Sequence, residues 1–140
     1  MTDPLAALQE RYARLCDRLA PHTPRDSYQT RILTTPHGEG APHVEQVAGA
    51  LHYVVTERGR ELQRRVAASE DELLYWLLLD VVRGIAMHVE APRRCRGEDG
   101  RRRYFAREAE LLSRLHSEWA ARRKEEQAQI LSRYPFRDAS

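Results

Sequence analysis

The run Ser69-Glu70-Asp71-Glu72-Leu73-Leu74-Tyr75-Trp76 constrains the fold of this chain more than any other stretch. Ser69 followed three residues later by Glu72 is a capping-box pattern, and Glu70, Asp71 and Glu72 place negative charge where the helix dipole favours it. From Leu73 to Val89 apolar residues surround the helix almost completely, which predicts a central buried helix. Asp80, Arg83 and His88 interrupt it, so its longest apolar stretch is too short to cross a bilayer and no membrane partner is expected. With 31% of its residues charged, a chain of 140 residues must concentrate its core in a few such segments, and its length predicts one domain, residues 1–140.

Upstream, Asp3 can cap a helix whose first position is Pro4. Leu5, Leu8, Tyr12, Leu15 and Leu19 then recur at spacings of three and four, predicting a helix over 4–20. Residues 28–33, 44–47 and 51–56 have strand character, with a turn-rich loop over 34–42. Leu51, Tyr53 and Val55 share one face. After a turn at Gly59, Leu62, Arg64 and Val66 alternate with Gln63 and Arg65, as in a hairpin with one wet face. A positive φ at Gly59 would let that hairpin close with a bulge.

Downstream of the central helix, Tyr104, Phe105, Glu108, Leu111, Leu112 and Leu115 mark an amphipathic helix. Another begins at Ser117, carries Trp119, Ile130, Leu131 and Tyr134 inward, and ends before Pro135. Phe136 is expected to fold back onto the core. The fold class is α+β: a small antiparallel sheet of three to four strands, within 28–67, against about four helices, one over 4–20 and the others within 69–134.

Catalytic patterns are not found. No Gly-x-Ser-x-Gly elbow surrounds a serine, and Gly38 and Gly40 alone do not make a phosphate loop. The six histidines show no i, i+4 pair, so no metal and no cofactor are expected. His37, His43 and Cys95 are the residues from which a small hydrolase or transferase would have to be built, and the reading is that the chain is not an enzyme. Cys16 and Cys95 suggest no disulfide framework, and the N-terminus lacks the basic and apolar regions of an export signal, so a cytoplasmic location is expected.

Charge is unevenly placed. Residues 69–92 hold five acids and one base, whereas 93–107 hold seven arginines against Glu98 and Asp99. Arg93, Arg94, Arg96, Arg101, Arg102 and Arg103 form the one basic cluster that could hold phosphates, which makes a nucleic-acid-binding regulator the alternative reading. With a net charge of only +2 and no interleaved aromatics before Tyr104, nucleic acid is the weaker candidate partner. The bland reading of the cluster is a solvated loop that pairs with the acidic turn at 69–72. Asp80, inside an apolar helix, requires a cation: Arg83 one turn away, as a structural ion pair, or an arginine of the 101–103 group.

Further residues carry a likeness. Tyr53-Val54-Val55-Thr56-Glu57-Arg58-Gly59-Arg60-Glu61-Leu62, then Asp71-Glu72-Leu73-Leu74-Tyr75-Trp76, Asp80, Asp99 with its following arginines, Phe105, Trp119 and Pro135-Phe136 together resemble the bacterial immunity protein 63 family of polymorphic toxin systems. The resemblance runs from about residue 44 to the C-terminus. It implies an α+β fold without catalysis, and a cytoplasmic protein that binds a cognate toxin domain and stops it acting. It names no toxin, no oligomeric state and no contact residues.

Contact residues are therefore expected on physical grounds, from charge complementarity and desolvated anchors. The candidates are Glu57 and Arg58 at the hairpin turn, Glu70, Asp71 and Glu72 at the acidic helix start, Trp76 as an anchor, and Arg101 and Arg102 in the arginine loop. The acidic start suits a basic partner and the arginine loop an acidic one.

Overall fold

A computed structural model describes residues 3–19, 31–36 and 39–139. In chain order they form α1 (Pro4–Leu19), β1 (Glu39–Val47), β2 (Ala50–Glu57), β3 (Arg60–Val66), α2 (Glu70–Glu90), a 3₁₀ turn (Ala91–Arg93), α3 (Arg101–Ser113) and α4 (Ser117–Arg133). The fold is α+β, with one antiparallel sheet of three strands in the order β1-β2-β3. The strand expected at 28–33 falls in part outside the described residues, and 31–36 are not extended into a strand. The chain divides into two compact units. Among the described residues, one holds 3–16 and 31–78 and the other 17–19 and 79–139, with α2 running from the first into the second.

In the first unit the helix starts form as their sequences dictate. Asp3 Oδ1 accepts from Leu5 N at 3.0 Å, and Ser69 Oγ accepts from Glu72 N at 3.1 Å. Leu8, Tyr12 and Cys16 of α1, Val44, Tyr53 and Val54 of the sheet, and Leu73, Leu74, Tyr75, Leu77 and Leu78 of α2 are all buried. Gln9 fixes the chain at Ile32 by two hydrogen bonds, its Nε2 donating to the carbonyl at 2.7 Å and its Oε1 accepting from the amide at 2.9 Å.

Both hairpins turn through two residues of positive φ, Ala48 (50°) with Gly49 (82°) and Arg58 (51°) with Gly59 (79°). That geometry matches the right-handed twist of the strands. The expected positive φ at Gly59 and a bulge are both present. The register moves by one residue between Val55 and Thr56, so Thr56 faces Glu61 but Val55 faces Gln63. Beyond the bulge Arg65 stands opposite Tyr53, and Arg64 opposite Val54. This corrects the expected wet face: Leu62 and Val66 are 59% and 58% exposed, because Val66 shares its face of the outer strand with Arg64.

The second unit buries Val81, Val82, Ile85 and Ala86 of α2 with Ala109, Leu111, Leu112, Leu115 and Trp119. His116 caps α4, its Nδ1 accepting from Glu118 N at 3.1 Å while its ring stacks on Trp119. Glu108 and Arg123, on α3 and α4, form a buried ion pair at 2.7 Å, and Gln127 Nε2 donates to Phe105 O at 2.9 Å. Ile130 and Leu131 are half-buried; Tyr134 is 66% exposed, not inward as its spacing suggested, because α4 ends at Arg133.

Removing one member of the Glu108–Arg123 pair leaves the other charge buried. Arg123→Ala is expected to lower stability by about 3–5 kcal/mol in denaturant unfolding, and Glu108→Leu with Arg123→Met to lower it by much less. At the β2–β3 turn, Gly59→Ala is expected to cost about 1 kcal/mol by the same measurement, from the left-handed conformation it must keep.

Candidate partner-binding surfaces

The expected contact residues fall into groups that the structure treats differently. At the tip of the β2–β3 hairpin Glu57 and Arg58 are exposed, and neither forms an ion pair among the described residues. Glu70 and Asp71 at the start of α2 are answered by Arg11 of α1, closely at Asp71 and at 3.8 Å for Glu70. The acidic turn thus pairs with α1 and not with the arginine loop. All three side chains are about half exposed, where such pairs contribute little to stability. Glu72 is half-buried.

Trp76, nearly two turns into α2, is half-buried and meets Tyr53 of β2 edge to face, with ring centroids 5.9 Å apart. Arg65 of β3 lies over both rings, its guanidinium carbon 4.6 Å from the Tyr53 centroid and 4.3 Å from that of Trp76. Trp76 is legible as an anchor in the sequence, whereas the parts played beside it by Arg65 and Tyr53 are not. Carrying an unbulged register back from the Arg58-Gly59 turn would put Arg64 opposite Tyr53; the bulge puts Arg65 there.

In the second unit Arg101 and Arg102 hold the C-terminal segment. Arg101 donates to the carbonyls of Tyr134 and Pro135 at 2.8 and 2.7 Å, and pairs with Asp99 at 2.8 Å. Arg102 pairs with Asp138 at 2.7 Å and lies 4.1 Å from the Phe136 ring centroid. Asp99 accepts from Arg137 N, Asp138 accepts from Asp99 N, and Ala139 N donates to Gly97 O, each at 2.8 Å. Phe136 is half-buried, 6.4 Å from Phe105 between ring centroids. These two guanidinium groups therefore act first on their own chain. Arg103 is likewise engaged, with Glu98 at 3.3 Å and Cys95 Sγ at 2.9 Å, whereas Arg94 and Arg96 are exposed and have no partner among the described residues.

The ion pair expected between Asp80 and Arg83 is not formed. Asp80 is half-buried, and Arg83 points from an exposed position of α2 with no ion pair among the described residues. The two are three positions apart and so near neighbours on the helix surface, but the exposed Arg83 head is solvated and gains little by giving up water for such a pair. Of the residues considered for catalysis, His43 is buried in β1 with Nε2 2.8 Å from Glu45, Cys95 is exposed in the other unit, and His37 lies outside the described residues. Among the described residues no group of three His, Cys, Asp or Glu could hold a metal, and no helix is long and apolar enough to cross a membrane.

The sequence model of the family described as Immunity protein 63 matches residues 48–129, which takes in β2, β3, α2, α3 and most of α4. The chain belongs to the immunity protein 63 family. The match covers more than half of this family member and contains the hairpin tip, Trp76, Tyr53 and Arg65. No curated protein and no solved structure matches the chain.

In this immunity-family protein Asp99 is the pivot of the C-terminal clasp. The Arg101 guanidinium, followed by the amides of Arg137 and Arg101, holds its carboxyl well below the usual carboxylate range. A depressed folded-state value means that the clasp is fully stabilised above the ordinary aspartate value of 3.8 and is lost only as pH falls through the lower folded value. The amides of Arg137 and Ala139 are therefore expected to stay protected from hydrogen exchange at pH 4. In Asp99→Asn they should exchange at nearly the rate of a free chain, with the protection of α2 unchanged.

Proposed function

We propose that this chain is an immunity protein that binds the toxin domain of a bacterial polymorphic toxin system and thereby neutralises it. The observation that carries this reading is the family match across the hairpin, the central helix and both following helices. We take the protein to act in the cytoplasm, as one domain without catalysis, by occupying a surface the toxin needs. Among the candidate contacts, Glu57 and Arg58 carry charges that no ion pair among the described residues answers, and Trp76, packed with Tyr53 and Arg65, would be the anchor; Glu70, Asp71 and Glu72 would add acidic contacts, and Arg101 and Arg102 would contribute by holding the tail.

The nucleic-acid alternative draws on the arginine loop, and four of its six arginines already answer acids of the same chain. Protein binding is therefore the preferred reading. Co-expression with the toxin-like reading frame beside its gene should restore growth to cells that the toxin alone arrests, and the two proteins should co-purify. Arrested growth with no complex would refute the assignment.

A further inference from the structure

The arginines of the β2–β3 hairpin are of two kinds. Arg64 is fully engaged, with Glu61 at 2.7 Å, Glu45 at 3.1 Å and His52 Nδ1 at 3.0 Å. Arg58, Arg60 and Arg65 form no ion pair or side-chain hydrogen bond among the described residues. Arg65 differs from the other two because it is held in place, over Tyr53 and Trp76, with a buried Nε that has no acceptor.

A guanidinium stacked on aromatic faces keeps its charge and its planar fork of donors while losing rotamer freedom. Half-buried cations are ordinarily answered by a carboxylate, as Arg107 is by Glu90 in the second unit. At Arg65 only the ring quadrupoles answer the charge, and the buried Nε–H adds a cost in free energy to holding the group there. Arginine, tryptophan and tyrosine in one half-desolvated cluster is also the composition of an interface anchor.

We propose that Arg65, clamped by Tyr53 and Trp76, is the anchor at which this chain receives a carboxylate side chain of its protein partner. This rests on the toxin-binding reading and adds to it the face and the chemistry of the partner: an acidic patch with apolar neighbours. β3 is an edge strand of the sheet, and Leu62 on it is largely exposed. Arg58 and Arg60 at its start extend the unanswered positive charge, against Glu57 as the hairpin's one acid outside the Arg64 cluster. A protein surface can bury that apolar side chain while meeting the arginines; a phosphate backbone meets only the charge, so the geometry favours a protein over a nucleic acid.

The test titrates the wild-type chain and its variants against the inactivated domain encoded by the toxin-like reading frame beside the gene. Arg65→Met is expected to weaken the complex about 30-fold or more, as for an interface hot spot. Arg65→Lys, which keeps the charge but not the fork, should weaken it about tenfold. Arg83→Met, which removes an exposed arginine of α2, should leave it unchanged. A complex that Arg65→Met leaves as tight as wild type, or that all three variants weaken equally, overturns the anchor while the toxin-binding reading stands. No complex with wild type overturns both.

Because Arg65→Met could disturb the hairpin, a second series leaves this chain intact and changes the partner's exposed Asp and Glu singly to Asn and Gln. One of them should cost about as much as Arg65→Met and add little further when combined with it. If none does, the proposal fails. It also fails if Arg65 governs retention of a DNA or RNA oligonucleotide at low salt while leaving toxin binding untouched.

Discussion

Burial of α2 is the constraint on which both units depend. Its first half supplies Leu73, Leu74, Tyr75, Leu77 and Leu78 to one core, and its second half supplies Val81, Val82, Ile85 and Ala86 to the other. Each large apolar side chain removed from water contributes roughly 1.5–3 kcal/mol, so this one helix outweighs any set of surface ion pairs in the chain. A helix apolar on nearly all sides has no stable existence in water by itself, and its start must therefore be fixed by something local. Ser69 does this by capping, and the acids that follow stabilise the dipole while Arg11 answers two of them.

Nearly two turns into that helix, burial and recognition meet at Trp76. The residue is one face of the cluster that holds Arg65, and the other face is Tyr53 of the sheet. Which arginine occupies that place is decided by a single extra residue in β3. Side chains of a strand alternate between faces, so one inserted residue exchanges the roles of Arg64 and Arg65 completely. Arg64 then joins Glu45, Glu61 and His52 on one face, whose carboxylates it holds below their usual range: the His43 contact first and then Arg64 act on Glu45, and Arg64 chiefly on Glu61. Arg65 is left on the other face with aromatic rings and no acid.

The arginines as a group show that composition does not assign roles. Arg123 is buried against Glu108, Arg107 bridges Glu90 and Glu110, and Arg101 and Arg102 hold the C-terminal segment through backbone carbonyls and Asp138. A cluster that looks like a phosphate site in one dimension is in large part a clasp in three. The same arginine fork suits a carboxylate, a carbonyl or a phosphate, and only the neighbours choose among them.

Much of the fold was legible in the sequence, because its signals are local. Capping at Asp3 and Ser69, apolar spacing in α1, α3 and α4, the break before Pro135 and the positive φ at Gly59 each involve residues within a few positions of one another. The likeness to the immunity protein 63 family was equally legible, since motif pairs at the hairpin and the helix start carry it. The tertiary structure decided what depends on residues distant along the chain. It gave Arg11 to the acidic turn, left Arg83 without Asp80, turned Leu62 and Val66 to solvent, and tied Arg101 and Arg102 to a tail more than thirty residues away. A bulge has no reliable signature of its own, yet it sets the register of every residue beyond it. The sequence by itself determined which elements form and where they start; only the packed chain determined which charge each arginine meets, because that is a matter of geometry between elements and not of order along the chain.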